Sequence, residues 1–139
     1  MLEDQIIDDI IAELSKYPNL RYERKNDHEL KIFRNNANGF DIFLETWVRE
    51  HTLHLGSFHW HFDNNAQETE EMMEQLLRAL LGLIRIKEFS KKGEAYKWTL
   101  QIQDVDGNWI DDGTMSTMNF DFWNKSEIRY LQNKTVLPL

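Results

Sequence analysis

Between Leu20 and Leu131 the apolar side chains recur mainly at every second position, in short runs broken by Asn, Asp, Gly and Lys. That alternation constrains the fold more than any other feature. A period of two belongs to a strand with one buried face, and runs joined by short turns pair antiparallel. Tyr22 and Arg24 alternate with Glu23 and Lys25 up to an Asn26-Asp27 turn, and Leu30 and Ile32 follow before the loop Asn35–Gly39. Phe40, Ile42, Leu44, Thr46 and Val48 then make a core face, with Asp41, Phe43, Glu45, Trp47 and Arg49 opposite. From Thr52 to Phe62 the sequence reads as one strand whose phase breaks at Gly56-Ser57. A β-bulge there puts Leu53, Leu55, Phe58, Trp60 and Phe62 on one face and gathers His54, His59 and His61 on the other.

The later strands follow the same logic. Ile84 and Ile86 alternate with Arg85 and Lys87, Lys91-Lys92-Gly93 is a turn, and Tyr96, Trp98, Leu100 and Ile102 continue the pattern. Asp106-Gly107 and Asp111-Asp112-Gly113 read as two further turns. Met115–Trp123 and Glu127–Leu131 read as the last strands, and the tail to Leu139 as loose.

Two segments have helical spacing instead. Leu2, Ile6, Ile7, Ile10, Ile11 and Leu14 form a stripe ended by Tyr17-Pro18, with Glu3, Asp4, Asp8, Asp9 and Glu13 off it. Asn65 and Glu68 have capping-box spacing. The broad stripe of Met72, Met73, Leu76, Leu77, Leu80 and Leu81 then predicts a largely buried helix whose last turn is loosened by Gly82. The whole chain, 1–139, reads as a single α+β domain in two layers. A mainly antiparallel, curved sheet of about seven or eight strands would carry two helices on one face.

Composition narrows the function classes. With 24 acidic and 16 basic side chains the formal charge is −8, which repels phosphate backbones overall and attracts cationic partners, so no nucleic-acid partner is expected. The cations Arg85, Lys87, Lys91, Lys92 and Lys97 gather in one hairpin, where they could touch a phosphate, although keeping a sheet edge soluble is the plainer role. No cysteine is present, so disulfides and thiolate metal sites are excluded. The acidic start and the short apolar run near Leu76–Ile84, interrupted by Arg78, suggest a cytoplasmic chain with no membrane partner. There is no G-x-S-x-G elbow, no phosphate-cradling glycine motif, and no terminal glutamate after Asp104-Val105-Asp106-Gly107 to complete a calcium loop. No catalytic residue and no cofactor are assigned, and the chain is not expected to be an enzyme.

His59-Trp60-His61 is the most chemical motif, because two imidazoles two residues apart on a strand can chelate a transition metal. His54 or His51 could add a ligand, and Glu45 or Asp41 a carboxylate. The plainer reading places these rings on a solvated sheet face, and no metal is assigned. With Phe43, Glu45 and Trp47 on the adjoining strand, His54, His59 and His61 instead compose a contact patch of rings among charges, which would respond to pH near neutrality.

In general character, with acidic helices at Glu3–Glu13 and Glu68–Glu74 and aromatic sheet segments at Phe40–Trp47 and Phe58–Phe62, the chain resembles the immunity proteins of bacterial polymorphic and contact-dependent toxins. The resemblance implies a binding module that neutralises a cognate, often cationic, toxin domain by direct contact. It assigns that contact to the helix carboxylates Asp8, Asp9, Glu70 and Glu71 together with the aromatic–histidine face. The competing expectation is a small-molecule- or metal-binding domain, or an enzyme, with a pocket between sheet and helix lined by Met72, Met73, Trp60 and Trp98.

Overall fold

The computed structural model describes residues 2–137. Helix α1 (Leu2–Leu14) leads into β1 (Tyr22–Asn26), β2 (Glu29–Ile32), β3 (Ile42–Thr46), β4 (Glu50–Leu55) and β5 (Phe58–Asp63). Helix α2 (Ala66–Leu80) follows, and then β6 (Ile84–Lys91), β7 (Glu94–Gln103), β8 (Trp109–Ser116) and β9 (Glu127–Leu131). The α+β class and the antiparallel pairing are as the alternation predicts. The nine strands are divided between two open sheets, ordered β1-β2-β3-β4-β5 and β8-β7-β6-β9. The side chains of Leu2, Glu3 and Asp4, assigned above to the helix stripe and its acidic turn, lie outside the described residues, as do Pro138 and Leu139 of the tail.

One hydrophobic core joins both sheets and both helices. Ile7, Ile10 and Leu14 of α1 and Met72, Leu76 and Ala79 of α2 are buried with Ile42, Leu44, Leu53 and Leu55 of the first sheet and Ile84, Ile86 and Leu100 of the second. Each of these larger aliphatic side chains contributes roughly 1.5–3 kcal/mol by leaving water. Among the polar groups drawn in, Glu88 accepts from Trp98 Nε1 at 3.0 Å and from Arg129 Nε at 2.6 Å, tying β6 to both of its neighbours.

Several elements depart from the sequence reading, each for a local reason. Gly56-Ser57 is a two-residue hairpin turn, with Leu55 opposite Phe58 and Gly56 at φ 62°. Glycine at the first central position is what such a turn requires. A bulge and a hairpin return the alternation to the same face, so the facing of the histidines survives the correction. Asp111-Asp112-Gly113 is not a turn but an irregularity inside β8, where the register slips between Thr99 and Gln101 of β7. Gly113, at φ 141°, lies where a Cβ would meet the Phe58 and Trp60 rings at 3.5 Å, so the bulge seats the second sheet on β5. Residues 117–126 form a loop, so the expected strand Met115–Trp123 ends at Ser116.

Helix α2 starts as its cap predicts, with Asn65 Oδ1 accepting from Glu68 N at 2.8 Å. The Glu68 carboxylate accepts from Asp63 N at 3.1 Å, which holds its pKa below the usual value, while its negative charge raises that of Asp63. Gly82 closes the helix and does not loosen it. At φ 75° it donates to Ala79 O, and Leu83 N donates to Arg78 O, the paired bonds of a glycine-closed C-terminus. The helix is less buried than its stripe suggests, because Leu77 is 55% exposed.

The tail is tied down, contrary to expectation. The amide of Asn133, 6% exposed, accepts from Phe40 N at 3.0 Å and donates to Phe40 O at 2.9 Å. Asn35 makes the same double bond to the main chain of Lys134, and Val136 N donates to Leu80 O. A side chain at Gly39 would collide with Asn133 Oδ1, so glycine permits the close approach.

Replacing Asn133 by Ala strands both main-chain groups of Phe40 in a buried site and should cost about 2–4 kcal/mol in urea unfolding. Gly39→Ala should also destabilise, by steric displacement of the same amide. A loss below about 0.5 kcal/mol for Asn133→Ala, the range of ordinary surface changes, would show that the clamp is not structural.

Candidate functional site

Strands β3, β4 and β5 turn Ile42, Leu44, Leu53, Leu55, Phe58 and Phe62 inward, so the intervening residues of each strand face outward. Register does the rest. Phe43 pairs with His54, His54 with His59, Glu45 with Thr52, and Thr52 with His61. Phe43, Glu45, His54, His59 and His61 therefore share one surface, as the alternation predicted. Ring centroids are 5.7 Å apart for Phe43 and His54, 5.6 Å for His54 and His59, and 5.3 Å for His59 and His61.

The row is braced at both ends. His54 Nε2 donates to Glu45 Oε2 at 3.0 Å. His61 Nδ1 shares a 2.9 Å hydrogen bond with Thr52 Oγ1 and lies 3.4 Å from Glu50 Oε1. His59 stands between them. Partial desolvation first, and then the imidazoles of His54 and His61, hold its pKa below the ordinary value. Positive charge is thus disfavoured at the middle ring, while the outer two have carboxylate neighbours.

The remaining predicted residues lie elsewhere. Trp47 sits past the end of β3, 45% exposed, and stacks on His28 with centroids 5.2 Å apart. Asp8 pairs with Arg24 of β1, and Asp8, Asp9, Glu70 and Glu71 lie on helices that pack against the opposite, core side of the first sheet. Asp8 and Asp9, over the apolar side, are consequently on a surface apart from the histidine row, whereas at the β5 edge Glu71 borders one cleft with His61. His51, a conceivable metal ligand from sequence, is fully buried on that apolar side. Its Nδ1 accepts from Trp47 N and its Nε2 donates to Asn64 Oδ1, both at 3.2 Å, so it braces the β3–β4 turn. Among the described residues no group of three or more His, Asp or Glu side chains could hold a metal ion.

A cleft of about 340 Å³ does lie between β5 and α2, bordered by Trp60 of the expected lining together with His61, Glu68, Glu71, Gln75 and Asp112. Met72 and Trp98 are core residues. Met73 borders a second, apolar cleft of about 360 Å³ between the helices with Ile10, Leu14, Tyr17, Leu77 and Leu80, and Leu77 stands exposed at its rim.

A second exposed feature escaped the sequence reading. On the loop after β8, Met118, Phe120, Phe122 and Trp123 are 84%, 73%, 76% and 92% exposed. The loop is ordered from within: the Asp121 carboxylate accepts from Trp123 N, Asn124 N and Asn124 Nδ2, and those bonds to Asn124 chiefly hold its pKa down. Lys91 Nζ donates to Asp121 O at 2.6 Å, and Tyr96 and Ser126 hydroxyls meet below. The signal was present in Asn119, Asp121 and Asn124, whose side chains favour turns over strands; the alternating Met118, Phe120 and Phe122 masked it.

No protein-family model matches the chain, and no curated protein or solved structure matches it.

The lowered pKa of His59 has a definite pH signature. The unfolded chain takes up a proton near pH 6.5 that the folded site resists, so stability is intact above that value and is lost as pH falls through it towards the folded pKa. The melting temperature should therefore drop between about pH 7.5 and about pH 5, and the drop should shrink in His59→Gln. An equal drop in both proteins would assign the effect to other groups.

Proposed function

We propose that this chain is a protein-binding module which acts by direct contact and not by catalysis. The observation that carries the reading is the loop bearing Met118, Phe120, Phe122 and Trp123, four large apolar side chains held in water by an ordered turn. Exposed rings on an internally hydrogen-bonded turn are the composition of an interface anchor, since a partner that covers them gains their burial. The row of Phe43, His54, His59 and His61 offers a second, more polar contact on the first sheet.

Net charge and resemblance narrow the partner. A chain of charge −8 meets a cationic protein faster than a neutral one would, and the resemblance to toxin-immunity proteins points to a cationic bacterial toxin domain neutralised in the cytoplasm. The apolar cleft between α1 and α2 supports a second reading, in which a small apolar ligand binds there. Its volume of about 360 Å³ is at the lower end of ligand sites.

Pull-down from lysate of the source organism should capture a stoichiometric basic protein that is released by high salt. Phe122→Ser with Trp123→Ser should weaken that capture at least tenfold, an effect of hot-spot size. His54, His59 and His61 replaced together by Gln should weaken it less, and should lessen any loss of capture as pH falls below about 6.5, because imidazolium charge repels a basic partner. Capture unchanged by the loop variant would remove the loop from the interface. A purified protein that captures nothing but carries a bound apolar molecule, displaced by Leu77→Trp, would favour the ligand reading.

A further inference from the structure

The second sheet has one face in the core and one that no helix covers. Ile84, Ile86 and Glu88 of β6 and Trp98 and Leu100 of β7 are buried, so Arg85, Lys87 and Phe89 project from the other side. Register adds their neighbours: Lys97 opposite Phe89, Tyr130 opposite Lys87, and Trp109 next to Gln103 on the same face. The basic hairpin seen in sequence is thus half of an alternating array of cations and rings.

The array is built, not scattered. The Arg85 guanidinium lies 4.1 Å from the Tyr130 ring centroid and 4.3 Å from that of Trp109. Lys87 and Lys97 place their ammonium groups 5.2 Å and 4.8 Å from the Phe89 centroid. The Asp111 carboxylate accepts from Gln101 Nε2 at 2.7 Å, and Gln101 Oε1 accepts from Arg85 Nε at 2.7 Å. The amide stands between acid and guanidinium, so Arg85 is oriented without being neutralised. Among the described residues Arg85, Lys87 and Lys97 form no ion pair with a carboxylate.

We infer that this face binds single-stranded nucleic acid. An extended strand alternates phosphates with flat bases, and it meets here a sheet face alternating cations with rings. An acidic peptide without rings of its own would satisfy the cations but leave the exposed Tyr130 ring uncovered. The net charge of −8 opposes approach from afar, but a Debye length of about 8 Å at physiological salt leaves the local cations dominant at contact. Three phosphate contacts predict a slope of about −2 for log affinity against log salt. The inference does not depend on the protein-binding reading, which rests on the loop and on the first sheet.

The test is fluorescence polarisation of the full chain with a labelled single strand of mixed sequence, from about 50 to about 200 mM salt. Wild type should bind with the slope above and prefer the single strand to its duplex. Lys87→Glu with Lys97→Glu should weaken binding by at least about tenfold, and Tyr130→Ala by a similar factor through lost stacking. Tyr130 is exposed and Lys87 and Lys97 are half-buried, and circular dichroism would verify that the variants are folded. No binding by wild type, binding indifferent to these substitutions, or a preference for poly-glutamate over the oligonucleotide would each overturn the inference. Any of those results leaves the capture experiment with the loop variant unaffected.

Discussion

The architecture depends on one demand: two sheets with no shared ladder must be held together by what lies between them. Apolar packing supplies most of the attraction, yet it is non-directional and does not set the relative position of the chain segments. The amide of Asn133 does. It satisfies both main-chain groups of Phe40 across 93 residues of sequence, and Asn35 repeats the arrangement on Lys134. In a buried setting such bonds are costly to leave unmade, so they select one docking of the chain's end against the first sheet. Gly39 is the complement of that choice, because any side chain there would occupy the space of the amide.

With the core settled in this way, the polar sides of the two sheets acquire different chemistry. The first presents imidazoles braced by Glu45, Glu50 and Thr52. The second presents Arg85, Lys87 and Lys97 among rings, in a molecule whose total charge is negative. The carboxylates of α1 lie over the core side of the first sheet, while those of α2 reach the β5 edge, where Glu68 and Glu71 border a cleft with His61. A net charge is therefore a poor guide to what any one face attracts, since screening confines each cluster to its own neighbourhood.

Much of this was legible in the residues. The inward sets Ile42–Leu44 and Ile84–Ile86, the Asn65 cap, and the common facing of His54, His59 and His61 all follow from period and from cap chemistry. Failures cluster where two local structures share one pattern. Gly56-Ser57 satisfies both a bulge and a hairpin, and Asp111-Asp112-Gly113 both a turn and a bulge, because each restores the same alternation. Met118–Trp123 alternates like a strand but forms none, and its Asx side chains bond their own main chain instead.

What the sequence by itself determined is the class of fold, the antiparallel pairing, the apolar side of each strand and the separation of acidic helices from a basic hairpin. These are properties of neighbours along the chain, governed by periodicity and backbone geometry. Only the tertiary structure decided that the strands divide into two sheets, that Asn133 clamps Phe40, that the aromatic loop stands in water, and that Trp109 and Tyr130 flank Arg85. Each of those joins residues distant in sequence, and their partners are selected by packing and by hydrogen bonding in the assembled core, which no local pattern encodes.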